Sequence, residues 1–214
     1  EFISYCENQD LEVNSNQIVV IEKLDKYYHN NFKSFFSKLF SKKQSKKGFY
    51  LYGGVGVGKT MILNFFFDQI KQKKIRLHFN EFMIQFHDFI FQNKEKNKGI
   101  YHFVRDLKKK AQIIYFDEFQ VTNIVDAMIL GNLFDNIIKN NIHVLITSNT
   151  SPENLYKDGL QRDQFLPFIK IMQNNLHIFE LKGNLDFRKK DITQIDRFFS
   201  PNNSANQFKI NQIF

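Results

Sequence analysis

Eight consecutive residues, Gly53-Gly54-Val55-Gly56-Val57-Gly58-Lys59-Thr60, fit the pattern G-x-x-x-x-G-K-T. Each part of it has a physical reason. Glycines let backbone N–H groups turn inward around phosphate oxygens. A helix starting at the end of the loop offers its positive N-terminus to the same anion. Lys59 adds a point charge for the β- and γ-phosphates, and the Thr60 hydroxyl is a ligand for Mg²⁺. The loop reads as a cradle for a nucleoside triphosphate, ATP before the others. The competing reading is a glycine-rich turn with an incidental lysine.

Four further residues suit the same chemistry. Asp117-Glu118 follows the apolar run Ile113-Ile114-Tyr115-Phe116. An acidic pair at a strand end suits a metal-holding Asp117 and a water-polarising Glu118; a solvated loop or helix cap is the plainer alternative. Asn149 lies just past another apolar run and can orient the attacking water, or cap the turn before Pro152. Arg162 can reach a neighbouring subunit's γ-phosphate, as arginine fingers do, or be an ordinary surface residue. Asp126 and Arg188 stand open between site and surface. His78, His87, His102 and His143 lack metal-ligand spacing and read as surface or core-edge residues.

These residues need a frame. Short apolar runs at 49–52, 75–79, 112–116, 143–147 and 177–181 read as strands. Helical periodicity lies between them, at 59–71, 81–91, in a helix ending at Lys108-Lys109-Lys110, and at 125–138 and 165–172. A further helix is expected over 17–40, followed by a linker at 41–47. Near-continuous apolar strands alternating with helices predict a parallel sheet covered on both faces. The expected division is an irregular segment at 1–16, a core at 17–183 and an irregular tail or truncated lid at 184–214.

The 214 residues and 43% hydrophobic content suit one domain. No run approaches the ~20 apolar residues of a membrane-spanning helix. A single cysteine, Cys6, permits no internal disulfide and no cysteine-rich zinc site, which points to a soluble protein of a reducing compartment. The chain starts at Glu1, so a processed or truncated piece is expected. The net charge of +8 raises nucleic-acid binding, but the lysine clusters are scattered and lack interleaved stacking aromatics. A solvated lysine-rich surface is the preferred reading.

Taken in order, the blocks resemble the ZapE family of AAA+ ATPases, which includes a bacterial cell-division ATPase and mitochondrial AFG-type relatives. The matching blocks are Gly48-Phe49-Tyr50-Leu51-Tyr52-Gly53-Gly54-Val55-Gly56, His78-Phe79-Asn80-Glu81-Phe82-Met83 and Phe116-Asp117-Glu118-Phe119-Gln120-Val121-Thr122. Then come Asp126-Ala127-Met128-Ile129-Leu130-Gly131, Thr147-Ser148-Asn149, Leu155-Tyr156-Lys157-Asp158-Gly159-Leu160-Gln161-Arg162 and Phe165-Leu166-Pro167-Phe168-Ile169. Three positions depart from the family: Val57 and Asn123 replace a usual Arg and Asp, and Asn80 a usual His. The family's short lid has no evident counterpart after Asn184.

The resemblance implies an AAA+ P-loop fold, Mg²⁺-dependent ATP hydrolysis and self-association in a ring whose sites borrow Arg162 from a neighbour. It also implies protein clients near a membrane. The implied place is the mitochondrion in a eukaryote, or the cytoplasm at the inner membrane in a bacterium. The alternative is a nucleic-acid-dependent ATPase such as a helicase loader.

Overall fold

The computed structural model describes residues 1–11, 13–33, 45–93 and 98–183. Five strands, β1 (Gly48–Tyr52), β2 (Lys74–His78), β3 (Ile113–Asp117), β4 (His143–Ser148) and β5 (Leu176–Glu180), form one sheet in the order β2-β3-β4-β1-β5. Every pairing is parallel. The helices are α1 (Phe2–Asn8), α2 (Ser15–Tyr28), α3 (Lys59–Gln69), α4 (Phe79–Gln92), α5 (Gly99–Lys110), α6 (Ile124–Lys139) and α7 (Arg162–Asn175). A π-helical turn at His29–Lys33 extends α2.

Strand pleating sorts the core into two halves. Tyr50, Ile114, Phe116, Val144 and Ile146 join the half built by α4, α5, α6 and α7. Phe49, Leu51, Ile113, Tyr115 and Leu145 join the half built by α1, α2 and α3. The three inner strands therefore read as unbroken apolar runs. The edge strand β2 does not: Ile75 and Leu77 pack on the first half, while Lys74, Arg76 and His78 alternate with them.

Gly48 has a steric reason. A Cβ there would stand 2.2 Å from the Val144 carbonyl oxygen and 2.6 Å from Leu176 Cδ2, because β1 is paired on both sides.

Four expectations are corrected. Residues 2–8 are helical rather than irregular, and Phe2 and Cys6 bury against the α3 side of the core. The helix expected over 17–40 ends as α-helix at Tyr28; residues 34–40 and most of the expected linker lie outside the described residues. The helix expected over 165–172 runs from Arg162 to Asn175, with Pro167 inside it. Two of the lysine clusters, far apart in sequence, approach each other at one rim of the sheet, where Lys47 and Lys108 both donate to Asn141. The tail or lid at 184–214, with Arg188, lies outside the described residues.

Candidate active site

The C-terminal ends of β1, β3 and β4 lie side by side, with β4 between the other two. Each releases the chain into a loop at the same rim. The loop after β1 is the glycine run. Gly56 and Gly58 have φ of 82° and 92°, a left-handed backbone that glycine adopts without strain. Gly58 then serves as N-cap of α3. Val57 turns inward and is buried in the core, which is the reason an apolar residue stands there. Gln17 of α2, itself buried, donates from Nε2 to the Val57 carbonyl at 3.2 Å and accepts the Asn14 N–H that starts its own helix. The loop is thus tied to α2 as well as to β1 and α3.

A cavity of ≈ 300 Å³ opens at this rim, and its lining includes Val55, Gly56, Gly58, Lys59, Thr60, Glu118 and Asn149. Lys59 is buried, and its ammonium donates to the carbonyls of Gly53 at 2.9 Å and Gly54 at 2.6 Å. Asp117 lies behind the wall rather than in it. Its Oδ1 accepts hydrogen bonds from two lining hydroxyls, Thr60 at 3.2 Å and Thr147 at 2.5 Å, and from Tyr115 at 3.1 Å. Its Oδ2 meets the Arg76 guanidinium at 2.5 Å. Burial pushes this carboxyl's pKa up, but the bonds from Thr147 and Arg76 outweigh that and hold it below the usual carboxylate value.

Glu118 follows with φ of 53°, a left-handed conformation uncommon for a residue with a Cβ. Its N–H donates to Thr147 Oγ1 at 3.1 Å, which fixes that backbone turn. Its carboxylate stays largely exposed, 3.9 Å from His78 Nδ1. Ser148 donates to the Phe119 carbonyl at 2.7 Å and accepts from the Thr150 N–H, locking the acidic loop to the turn that carries Asn149. Such strain, held in place by surrounding bonds, is typical of catalytic loops.

The structure therefore gathers Lys59, Thr60, Glu118 and Asn149 on one cavity, with Asp117 beneath it. Arg162 is not among the residues lining that cavity. It opens α7, where its guanidinium donates to the carbonyls of Leu155, at 2.6 Å, and Glu153. Asp126 is held elsewhere, by His87 at 2.7 Å and Asn123 at 2.6 Å. His143 is buried against Tyr27, 2.6 Å from its hydroxyl. Sequence reasoning missed Arg76, Tyr115, Thr147 and Gln17 as parts of the site. A charge in the middle of β2 and a hydroxyl at the end of the apolar strand β4 were the available signals.

The donor set suits Mg²⁺. A hydroxyl and a carboxylate oxygen 3.2 Å apart are hard oxygen ligands. No cluster of three or more His, Cys, Asp or Glu fit to hold a metal occurs among the described residues.

A five-stranded parallel sheet with this loop at the end of β1 defines a P-loop NTPase of the AAA+ type. The chain belongs to the AFG1-like ATPase family, whose model matches residues 7–214. It is 37% identical over 171 residues to lactation elevated protein 1 homolog B of Danio rerio, covering 74% of this chain and 34% of that protein. It is 33% identical over 170 residues to cell division protein ZapE of Escherichia coli (strain K12), covering 77% of this chain and 45% of that one. The chain thus spans less than half the length of these relatives. Among solved structures it is similar in fold to domain III of the Thermotoga maritima replication initiation protein DnaA, with a TM-score of 0.59, 16% identity and coverage of 87% and 70%. DnaI is similar with a TM-score of 0.56, 14% identity and coverage of 83% and 88%. At those identities the likeness concerns the fold alone.

Proposed function

We propose that this chain hydrolyses ATP with Mg²⁺ and that the protein it forms uses the cycle to remodel or help turn over proteins at a membrane. The observation that carries the hydrolytic part is the wall shared by Lys59, Thr60, Glu118 and Asn149, with Asp117 bonded to Thr60 behind it. The loop from Gly53 to Thr60, including the N–H groups of Gly54, Val55, Gly56 and Val57, cradles the phosphates. Lys59 exchanges its two carbonyl partners for phosphate oxygens. Thr60 and Asp117 would hold Mg²⁺, which would neutralise charge on the phosphates. Glu118, lifted to the cavity by its left-handed turn, polarises the attacking water, and Asn149 orients it.

Arg162 serves a neighbouring subunit's site in a homo-oligomeric ring. Its position at the start of α7, outside the lining of its own cavity, supports that reading. Remodelling of membrane-associated clients rests on membership of the family and on relatives named for cell division. The proposed place is the mitochondrion in a eukaryote, or the cytoplasmic side of the inner membrane in a bacterium. No helix among the described residues is long and apolar enough to cross a membrane.

Steady-state turnover and ATP binding measured side by side test the reading. Lys59→Ala is expected to lose both, whereas Glu118→Gln retains ATP and loses turnover.

A further inference from the structure

Asp117 divides its two oxygens between different kinds of partner. Oδ1 accepts from three hydroxyls, those of Thr60, Tyr115 and Thr147. Oδ2 takes only a cation, the guanidinium of Arg76 at 2.5 Å. Arg76 comes from the edge strand β2, where it pairs across the ladder with Tyr115. Its guanidinium carbon lies 5.1 Å from the Tyr115 ring centroid. The ring that donates to one oxygen of the carboxylate therefore also supports the cation on the other. The Asp117 side chain is 3% exposed and that of Arg76 40%, so the cation reaches from the open edge of the sheet to a buried anion. A lysine would bring the charge without the planar face that stacks on the ring.

We propose that Arg76 is a positioning residue for the metal site. Its bond to Oδ2 fixes the plane of the Asp117 carboxylate, so that Oδ1 stays turned toward Thr60, and it thereby strengthens Mg²⁺ binding by the nucleotide-loaded protein. The inference rests on Thr60 and Asp117 being the pair that holds the metal. Two effects of Arg76 oppose each other. A nearby cation repels a second cation, and the partial exposure of Arg76 raises the effective dielectric there and weakens that repulsion without removing it. Orientation acts on the buried carboxylate itself, and partners that orient metal ligands are typically worth about 10–100-fold in metal affinity. Orientation prevails.

The experiment is a Mn²⁺ titration followed by electron paramagnetic resonance, with a non-hydrolysable ATP analogue bound. Arg76→Gln is expected to weaken Mn²⁺ binding about 10-fold, with affinity for the analogue in the absence of metal unchanged. Arg76→Lys keeps the charge and loses the stacking, and should fall between the parent and the glutamine variant. Mn²⁺ binding that is unchanged or tighter in Arg76→Gln overturns the inference. Asp117→Asn separates the two layers of the argument. If it weakens Mn²⁺ while Arg76→Gln does not, the role of Arg76 alone fails. If Asp117→Asn leaves Mn²⁺ binding intact, the metal assignment fails and takes the inference with it. Should the glutamine variant not fold, the lysine variant decides: weaker binding than the parent supports the role, equal or tighter binding overturns it.

Discussion

Thr147 shows how one hydroxyl can tie together two neighbours of the candidate site. It donates to Asp117 Oδ1 and accepts the Glu118 N–H, so the residues proposed to hold the metal and to polarise the water share a single pin. Thr147→Val keeps the shape and removes both bonds around a buried carboxylate. It should cost about 2 kcal/mol of unfolding free energy, whereas Thr147→Ser retains most of it. Chemical denaturation of both variants measures this, and equal stability of Val and Ser would refute the pin. The contrast with Lys59, Thr60, Asp117 and Glu118 is instructive. Their gathering at one rim was legible because spacing along the chain puts each of them at or just past the end of a strand. Arg76 and Thr147 act through pairing across the sheet, with Arg76 beside Tyr115 and Thr147 beside Leu51, and no local spacing records that.

At the scale of elements, α6 answers a question the sequence raised. Asn123 stands where the resemblance leads one to expect Asp. It is the N-cap of α6, accepting the Asp126 N–H at 2.8 Å, and either residue could do that. Only Asn can also donate, and its Nδ2 gives a bond to Asp126 Oδ2 at 2.6 Å. Asn123→Asp would set a second carboxylate against the buried Asp126. The expected cost is on the order of 1–2 kcal/mol at neutral pH, read as a shift in denaturation midpoint; an unchanged midpoint would show that the donated bond carries no weight. The central strands were legible because burial on both faces leaves an unbroken apolar run. Residues 2–8 were not. Phe2 and Cys6 are four apart and share one helix face, but two apolar positions in a polar stretch make no period until the rest of the core is there to receive them.

At the scale of the whole molecule, the two rims of the sheet differ in kind. The rim at the C-terminal strand ends carries the phosphate loop and the acidic pair. At the opposite rim Lys46, Lys74 and Lys108 spend their ammonium groups on backbone carbonyls of Gln173, Leu176, Phe67, Asp68 and Asn141. Much of the positive charge on that rim closes helix and loop ends, a use that sequence spacing alone could not reveal. Arg162 belongs to this scale as well, because its proposed partner is another copy of the chain. Arg162→Ala should lower turnover about 10³-fold. Mixing it with Lys59→Ala should recover activity, since the second variant supplies the missing arginine to intact phosphate loops; a mixture no more active than its components would rule out the shared site. Everything proposed for the assembled protein stands on hydrolysis at the loop from Gly53 to Thr60. The most direct test is ATP turnover by Lys59→Ala beside the parent chain at equal concentration and saturating Mg²⁺. The expected result is loss of turnover with the fold intact by circular dichroism. Hydrolysis at the parent rate would contradict the account.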